Sequence, residues 1–282
     1  MVGDRLAAMD FAWERPSSGL GRLMEGEAYR FHFHLRPGRS GWLERGCPPE
    51  EVLGARREVL SGGRDRAVIW GAGADECWRG VESMLGDGLR QAAEGGGAAA
   101  VERAVRVGAE WAPDFLLLRR DGAEYRLAGG VVCFPSGWDP VEKLGQTVTE
   151  IHGSVPGLNE ALAERIRRFL GGLRPGQVFE RENWGLAATG ELDLHPGMGR
   201  PRLGAETRDE DVWFRLEEQA FIGLEGGDAL LFLIHVRTWR LQDMLEATGA
   251  ESGFERMLRS MPAEVAAYKG LTAWLAARTT RR

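Results

Sequence analysis

Two hydrophobic periods alternate along the chain, and the points where one gives way to the other predict its elements. YRFHFHLRPG, residues 29–38, alternates aromatic and polar side chains as a half-buried strand does, with His32 and His34 on one face, and Pro37 and Gly38 end it. Behind Pro48, Pro49, Glu50 and Glu51, EVLGARREVL has helical spacing, and RAVIWGAG then reads as a short buried strand stopped by glycines. The helical period returns from about Ala74 to Leu89 and again in AAAVERAVRVGAEW. Gly95, Gly96 and Gly97 separate these two helices and mark a soft internal boundary, while everything before about Gly26 reads as a loose opening segment.

From Asp114 onward the strand period dominates. DFLLLRR and EYRLAGGVVCF, joined at Asp121 and Gly122, predict a hairpin. DPVEKLGQTVTEIH predicts a helix with Asp139 as its cap, Pro140 in its first turn and His152 at its C-terminal end. NEALAERIRRFLGGL predicts a second helix, capped by Asn159 and ended by Gly171 and Gly172. Three long, aromatic-rich strands follow, QVFERENWGL, DVWFRLEEQAFIGL and ALLFLIHVRTWRL, and their length favours an antiparallel sheet. FERMLRSM and PAEVAAYKGLTAWLAART close the chain as helices separated by Pro262. The expected fold is α+β, an antiparallel sheet flanked by helices with helical N- and C-terminal additions. Residues 1–97 form an α+β segment packed on a core of residues 98–282, the two making one compact unit.

Composition narrows the function. With 282 residues, 43% of them hydrophobic, the chain can bury a large core. A net charge of −6 without a basic cluster argues against a nucleic-acid partner. No run of about 18 apolar residues predicts a membrane span, and the N-terminus lacks a secretory pattern. Cys47, Cys77 and Cys133 lie far apart and form neither a CxxC pair nor an even disulfide framework, which places the protein in a reducing cytoplasm. His32, His34 and His195 have no partners at zinc-ligand spacing. No G-x-G-x-x-G follows a strand, and no cysteine set suits an iron–sulfur cluster.

The richest stretch runs from Tyr125 to Gly157, YRLAGGVVCFPSGWDPVEKLGQTVTEIHGSVPG. Its order VCFPS, Trp138, Lys143-x-Gly145 and Ile151-His152-x-x-Val155-Pro156-Gly157 resembles the alpha subunits of heme-dependent oxidative N-demethylases. Arg181-Glu182-Asn183-Trp184 is similar to that family's Arg-x-Asn-Trp, and Arg215, Glu218 and Gln219 to its Arg-x-Glu-Arg-Gln, although Glu218 stands where an arginine is expected. The match continues in PAEVAAYKGL and, more loosely, in His235-Val236-Arg237-Thr238-Trp239, so that it spans about residues 114 to 275.

The resemblance implies a PAS-like sheet enclosing heme b and a monooxygenase that hydroxylates the N-methyl group of a small amine. The resulting carbinolamine collapses to formaldehyde and a shorter amine. Electrons come from NADPH through a separate flavin and iron–sulfur reductase subunit, O2 is the oxidant, and the cell form is an oligomer with that partner. A heme-binding PAS-like sensor of a diatomic gas or redox state, or a divergent enzyme with another substrate, is the alternative.

His152, a helix-end imidazole before a turn, is the candidate iron ligand, against capping of the helix carbonyls as its ordinary role. Cys133 is the rival, as a thiolate exposed at a strand end, against the commoner role of a buried free thiol as a small hydrophobe; Cys47 could likewise be a thiolate, but Glu50 and Glu51 disfavour its anion, and both rank below His152. Lys143, Arg181, Asn183 and Trp184 are candidates for the propionates. Trp138, His235 and Arg237 are candidates for the substrate pocket. Period-two alternation puts Arg181 and Asn183 on one strand face, and Glu218 is expected to alter anion contacts or the pocket.

Overall fold

The computed structural model describes Met24, residues 28–95 and residues 97–281. The opening segment through Gly26, apart from Met24, and Gly96 of the glycine cluster lie outside the described residues. Seven antiparallel strands form one sheet: β1 (Arg36–Pro37), β2 (Val68–Trp70), β3 (Asp114–Asp121), β4 (Glu124–Val131), β5 (Val178–Ala187), β6 (Trp213–Gly223) and β7 (Ala229–Arg240), in the order β1-β5-β6-β7-β3-β4-β2. The α+β class expected from the two periods is the class observed.

Helices enter in four groups. Ahead of the β3–β4 hairpin come α1 (Glu50–Gly62), α2 (Arg64–Ala67), α3 (Ala74–Met84), α4 (Asp87–Ala93) and α5 (Ala100–Glu110). Between β4 and β5 stand α6 (Pro140–Lys143), α7 (Val148–His152) and α8 (Leu158–Gly172). After β7 follow α9 (Leu241–Thr248), α10 (Glu251–Ser260), α11 (Ala263–Tyr268) and α12 (Thr272–Arg281). No helix among the described residues is long and apolar enough to cross a membrane.

Several expected elements are shorter than their periods predict, and glycine supplies the reason twice. The helix expected over 139–152 breaks into α6 and α7 because Gly145 takes a left-handed φ of 81°, while Thr147 restarts the helix with a capping box against Glu150. Gly270, at φ 69°, splits the last expected helix into α11 and α12. The helix expected over 74–89 stops at Leu85, whose ψ of 139° is extended, and α4 starts beyond Gly86. Asn159 does not cap α8. Gly157 holds that place in the left-handed region, and the Asn159 side chain instead donates to the Thr149 carbonyl. Of the strand expected over 29–38 only Arg36 and Pro37 join the ladder, and α9 fills a stretch that carried no helical expectation.

Two apolar clusters hold these elements together. The larger joins α3, α5 and α8 to the sheet through Trp78, Trp111, Phe115, Leu117, Leu162 and Leu170, and the first hundred residues share it with the later strands. The smaller packs Trp184, Phe214 and Leu216 against Phe254, Met257 and Trp274 of α10 and α12. Arg56, fully buried, ties α1 to the β3 start: its guanidinium donates to Asp114 at 2.9 Å and to the Gly108 carbonyl at 2.6 Å. Asp114 also accepts the backbone N–H groups of Cys133 and Phe134, at 2.8 and 2.9 Å. That carboxylate sets the path of the chain as it leaves β4 toward α6.

Candidate functional site

Strand register decides which polar side chains share a face. Arg181 lies opposite Gln219, Asn183 opposite Glu217 and Gly185 opposite Arg215, so these project from one side of the sheet. Continuing across β6 to β7, Glu217 pairs with Val236 and Gln219 with Ile234, which adds an apolar floor to the same side. The intervening residues, Glu180, Glu182, Trp184, Glu218, His235, Arg237 and Trp239, project from the other side.

Glu217 is the hub of the first face. Its carboxylate accepts from Ser136 Oγ at 2.5 Å, Gln219 at 2.8 Å and Asn183 at 3.1 Å. Ser136 accepts in turn from Arg215 Nε at 2.7 Å, and the Arg215 guanidinium donates to the carbonyls of Phe134 and Leu192. Burial lowers Arg215 to about 10 against the opposing pull of Glu217, Asp114 and Asp193. Arg181 stands beside this network without joining it. Its Nε is buried and hydrogen-bonds to nothing among the described residues. Burial lowers its pKa too, offset by Glu217 and Glu182.

His152 reaches the same field. Burial first, and then the Arg181 charge, lower its imidazole to about 4, so the ring is neutral at ordinary pH. The ring makes no hydrogen bond among the described residues, and the α7 carbonyls that a capping histidine would bond are taken by the Gly153 amide, which bonds Thr149 and Glu150. His32 shows a parallel shift, to about 4, from burial, His34, Arg30 and Arg181. Outside any strand, it stacks on His34 at 4.6 Å and shares a 2.8 Å hydrogen bond with it. A small recess of about 10 Å³, room for roughly one water, opens against His152, walled by Tyr125, Ala163, Ile166 and Leu170 and rimmed by Glu124 and Arg167.

The remaining candidates separate. Trp138 is half-buried against the main core, two residues past Ser136. Lys143 sits in α6, which packs on α2 and β2 at the far end of the sheet order from β5. Trp184 is a core residue of the second cluster, stacked on Phe214 at 5.9 Å. Cys133, expected at an exposed strand end, is fully buried, and burial pushes its thiol up to about 12, which suits a small apolar filler and opposes a thiolate. Cys47 is exposed. His235 and Arg237 lie on the opposite face with Glu218: Arg237 Nε is 2.9 Å and His235 Nδ1 3.5 Å from its carboxylate. Burial raises Glu218, but the bonds from His235 and Arg237 outweigh it and bring the group down to about 2. The substitution of glutamate for the expected arginine is therefore answered locally, on the face turned away from Arg181 and His152.

Two participants carried no sequence signal as site residues. Glu217 becomes central only through its register with Asn183. Lys269, from the C-terminal motif, donates its ammonium to the Trp184 carbonyl at 2.9 Å and lies 5.0 Å over the Trp184 ring.

Residues 98–278, more than half of the chain, match the family model described as haem-dependent oxidative N-demethylase, alpha subunit-like. The chain belongs to this family. The match starts with α5 and runs into α12, so it takes in β3 to β7 and with them Arg181, Glu217, His152 and Lys269. Family membership implies heme, a possible oxidoreductase and further subunits.

The side chains present fit that group. A neutral imidazole without a protein partner is a suitable iron ligand, and a half-buried guanidinium whose Nε is buried and unbonded suits a carboxylate. Ile234 and Val236 supply an apolar wall on the same side of the sheet. The recess beside His152 is far smaller than the roughly 300–1,000 Å³ of small-molecule pockets, so the fit to the group rests on the donor set and not on a preformed cavity.

Proposed function

We propose that this chain is the heme b subunit of a monooxygenase that removes an N-methyl group from a small secondary or N-methyl amine and releases formaldehyde. The observation that carries the reading is the presence, inside the family-matched residues, of a neutral His152 without a hydrogen-bond partner and of the half-buried Arg181, whose Nε is buried and unbonded. Heme, when bound, supplies the oxidising power for hydroxylating the methyl carbon.

The protein's own residues supply the rest. His152 would supply the nitrogen that holds the iron, and its depressed pKa keeps that nitrogen free of a proton through the physiological range. Arg181 holds an anionic edge of the ligand, with Asn183 as a neighbouring donor on the same strand face. Ile234, Val236 and the half-buried Trp138 keep water from the reacting methyl group. Cys133 serves as core, and Lys143, Trp184, His235 and Arg237 act outside this contact. Five long strands, lying in the order second, first, fifth, fourth, third, with three helices inserted between the second and third, support the PAS-like reading.

The alpha-subunit character of the family supports delivery of electrons by another polypeptide, which we assign to a flavin and iron–sulfur reductase using NADPH in the cytoplasm. The test is the ultraviolet–visible spectrum of the purified protein, ferric, dithionite-reduced and carbon-monoxide-bound, beside His152→Ala. A histidine-type Soret spectrum that changes in the variant, with amine-dependent formaldehyde release once a reductase is added, is the expected result. Absence of a Soret band after reconstitution with heme overturns the reading. An intact band without amine-dependent oxygen use moves the protein to the sensor class.

A further inference from the structure

Lys269 is one of only two lysines among the 36 basic residues of the chain, and its surroundings are unusual for an ammonium. The residue as a whole is half-buried, yet Nζ lies over the Trp184 ring, and its one hydrogen bond among the described residues goes to the Trp184 carbonyl. Burial pulls it down to about 8, and the carboxylate acting on it is Glu217. Glu217 also acts on Arg181 and Arg215, while its oxygens are already engaged by Ser136, Asn183 and Gln219. The other carboxylates in the field are matched elsewhere: Asp114 by Arg56, Asp193 by Arg66 and Glu182 by Arg36.

One carboxylate thus acts on three cations, the buried Arg215 and the half-buried Arg181 and Lys269. Arg215 spends its donors on Ser136 and on main-chain carbonyls, which leaves Arg181 and Lys269 without a counter-anion of their own. Buried charge is costly unless paired, so an arrangement of this kind is built to be completed by an anionic ligand. Two cations around one strand segment, Arg181 to Trp184, match a ligand with two carboxylates better than one with a single charge.

We propose that Lys269, acting with Arg181, binds the two propionate groups of heme b where β5 runs on past its two-residue pairing with β1. The assignment rests on the heme reading given above and adds to it a residue from the C-terminal helices, so that α11 closes the site on the ligand's charged side. A purely structural Lys269, present only to satisfy the Trp184 carbonyl, makes the opposite prediction for the ligand-free protein. Replacing a structural lysine weakens the fold, whereas replacing an uncompensated buried cation by an apolar side chain of similar length strengthens it.

The experiment is a Soret titration of the apoprotein with ferric heme and with ferric heme dimethyl ester, for wild type, Lys269→Met, Lys269→Gln and Lys269→Arg, together with urea unfolding of each apoprotein. Wild type is expected to prefer heme to the uncharged ester. Lys269→Met and Lys269→Gln are expected to lose about ten- to a hundredfold of that preference, with ester affinity unchanged, while Lys269→Arg keeps most of it. The Lys269→Met apoprotein unfolds at higher urea than wild type. An unchanged heme-to-ester ratio in the substituted proteins overturns the assignment of Lys269 and leaves the heme reading standing. Failure of wild type to bind either ligand overturns both. Should Lys269→Met fail to fold, the ratio in Lys269→Gln decides.

Discussion

Glu217→Gln tests the electrostatic construction of the site without changing its shape. The carboxylate faces Arg181, Arg215 and Lys269 and is 8% exposed. The amide oxygen can still accept from Asn183 and Gln219, but the new amide N–H2 meets Ser136 Oγ, which already accepts from Arg215 and loses the acceptor for its own proton. Removing one partner from a buried charge network costs about 3–5 kcal/mol, and for a chain of this size that lowers the melting temperature by roughly 5–15 °C.

The pH dependence carries the sharper signature. Lys269, at about 8 against an ordinary 10.5, binds fewer protons folded than unfolded between those values, so its penalty is complete below about pH 8 and fades as pH rises to 10.5. Loss of the Glu217 charge lowers that folded pKa further. The variant therefore begins to recover at lower pH, and the gap between it and wild type narrows from pH 7 to 9.5. Circular-dichroism melts across that range measure it. A melting temperature within 2 °C of wild type by a melt resolving about that much, or a gap that stays constant with pH, refutes the reasoning.

Other outcomes follow from the same geometry. Proton NMR of His152 should give a titration midpoint near 4, so heme affinity stays level from pH 8 to 5 and falls only as pH approaches that value; a midpoint near 6.5 removes the basis for a protein-shielded ligand. Cys133→Ala should leave the ferric and carbon-monoxide spectra unchanged and cost only the stability of a small buried side chain; a shifted Soret maximum would return Cys133 to the ligand role. Asp114→Asn should destabilise by about 3–5 kcal/mol in urea unfolding, because it strands the fully buried Arg56. Gly130→Ala should also unfold early, since a Cβ there meets the Phe115 carbonyl at 2.3 Å; equal urea midpoints would contradict the close approach.

Much of this protein was settled by local pattern. Strand alternation in QVFERENWGL is enough to place Arg181 and Asn183 together and Trp184 away from them, because side chains on a strand have a period of two whatever the strand pairs with. The cap at Asp139, with Pro140 behind it, is likewise local chemistry: the Asp139 side chain accepts the Val141 amide at 2.8 Å. The order of short motifs was sufficient to point to the family, since their sequence spacing survives folding unchanged.

What lay beyond the sequence depends on partners far along the chain. Gly145 and Gly270 end helices that the apolar period carries through, since that period says nothing of φ. Whether Glu218 met Arg181 or Arg237 turned on register, where a shift of one residue exchanges the two faces. Cys133 looked like an exposed turn residue and became core because Asp114, nineteen positions earlier, draws its backbone inward. Lys269 reaches Trp184 across 85 residues. Its charge, like those of Arg181 and Glu217, takes its meaning from a burial and a neighbourhood that only the packed sheet and C-terminal helices create, because electrostatic energy depends on distance and desolvation and not on position in the chain.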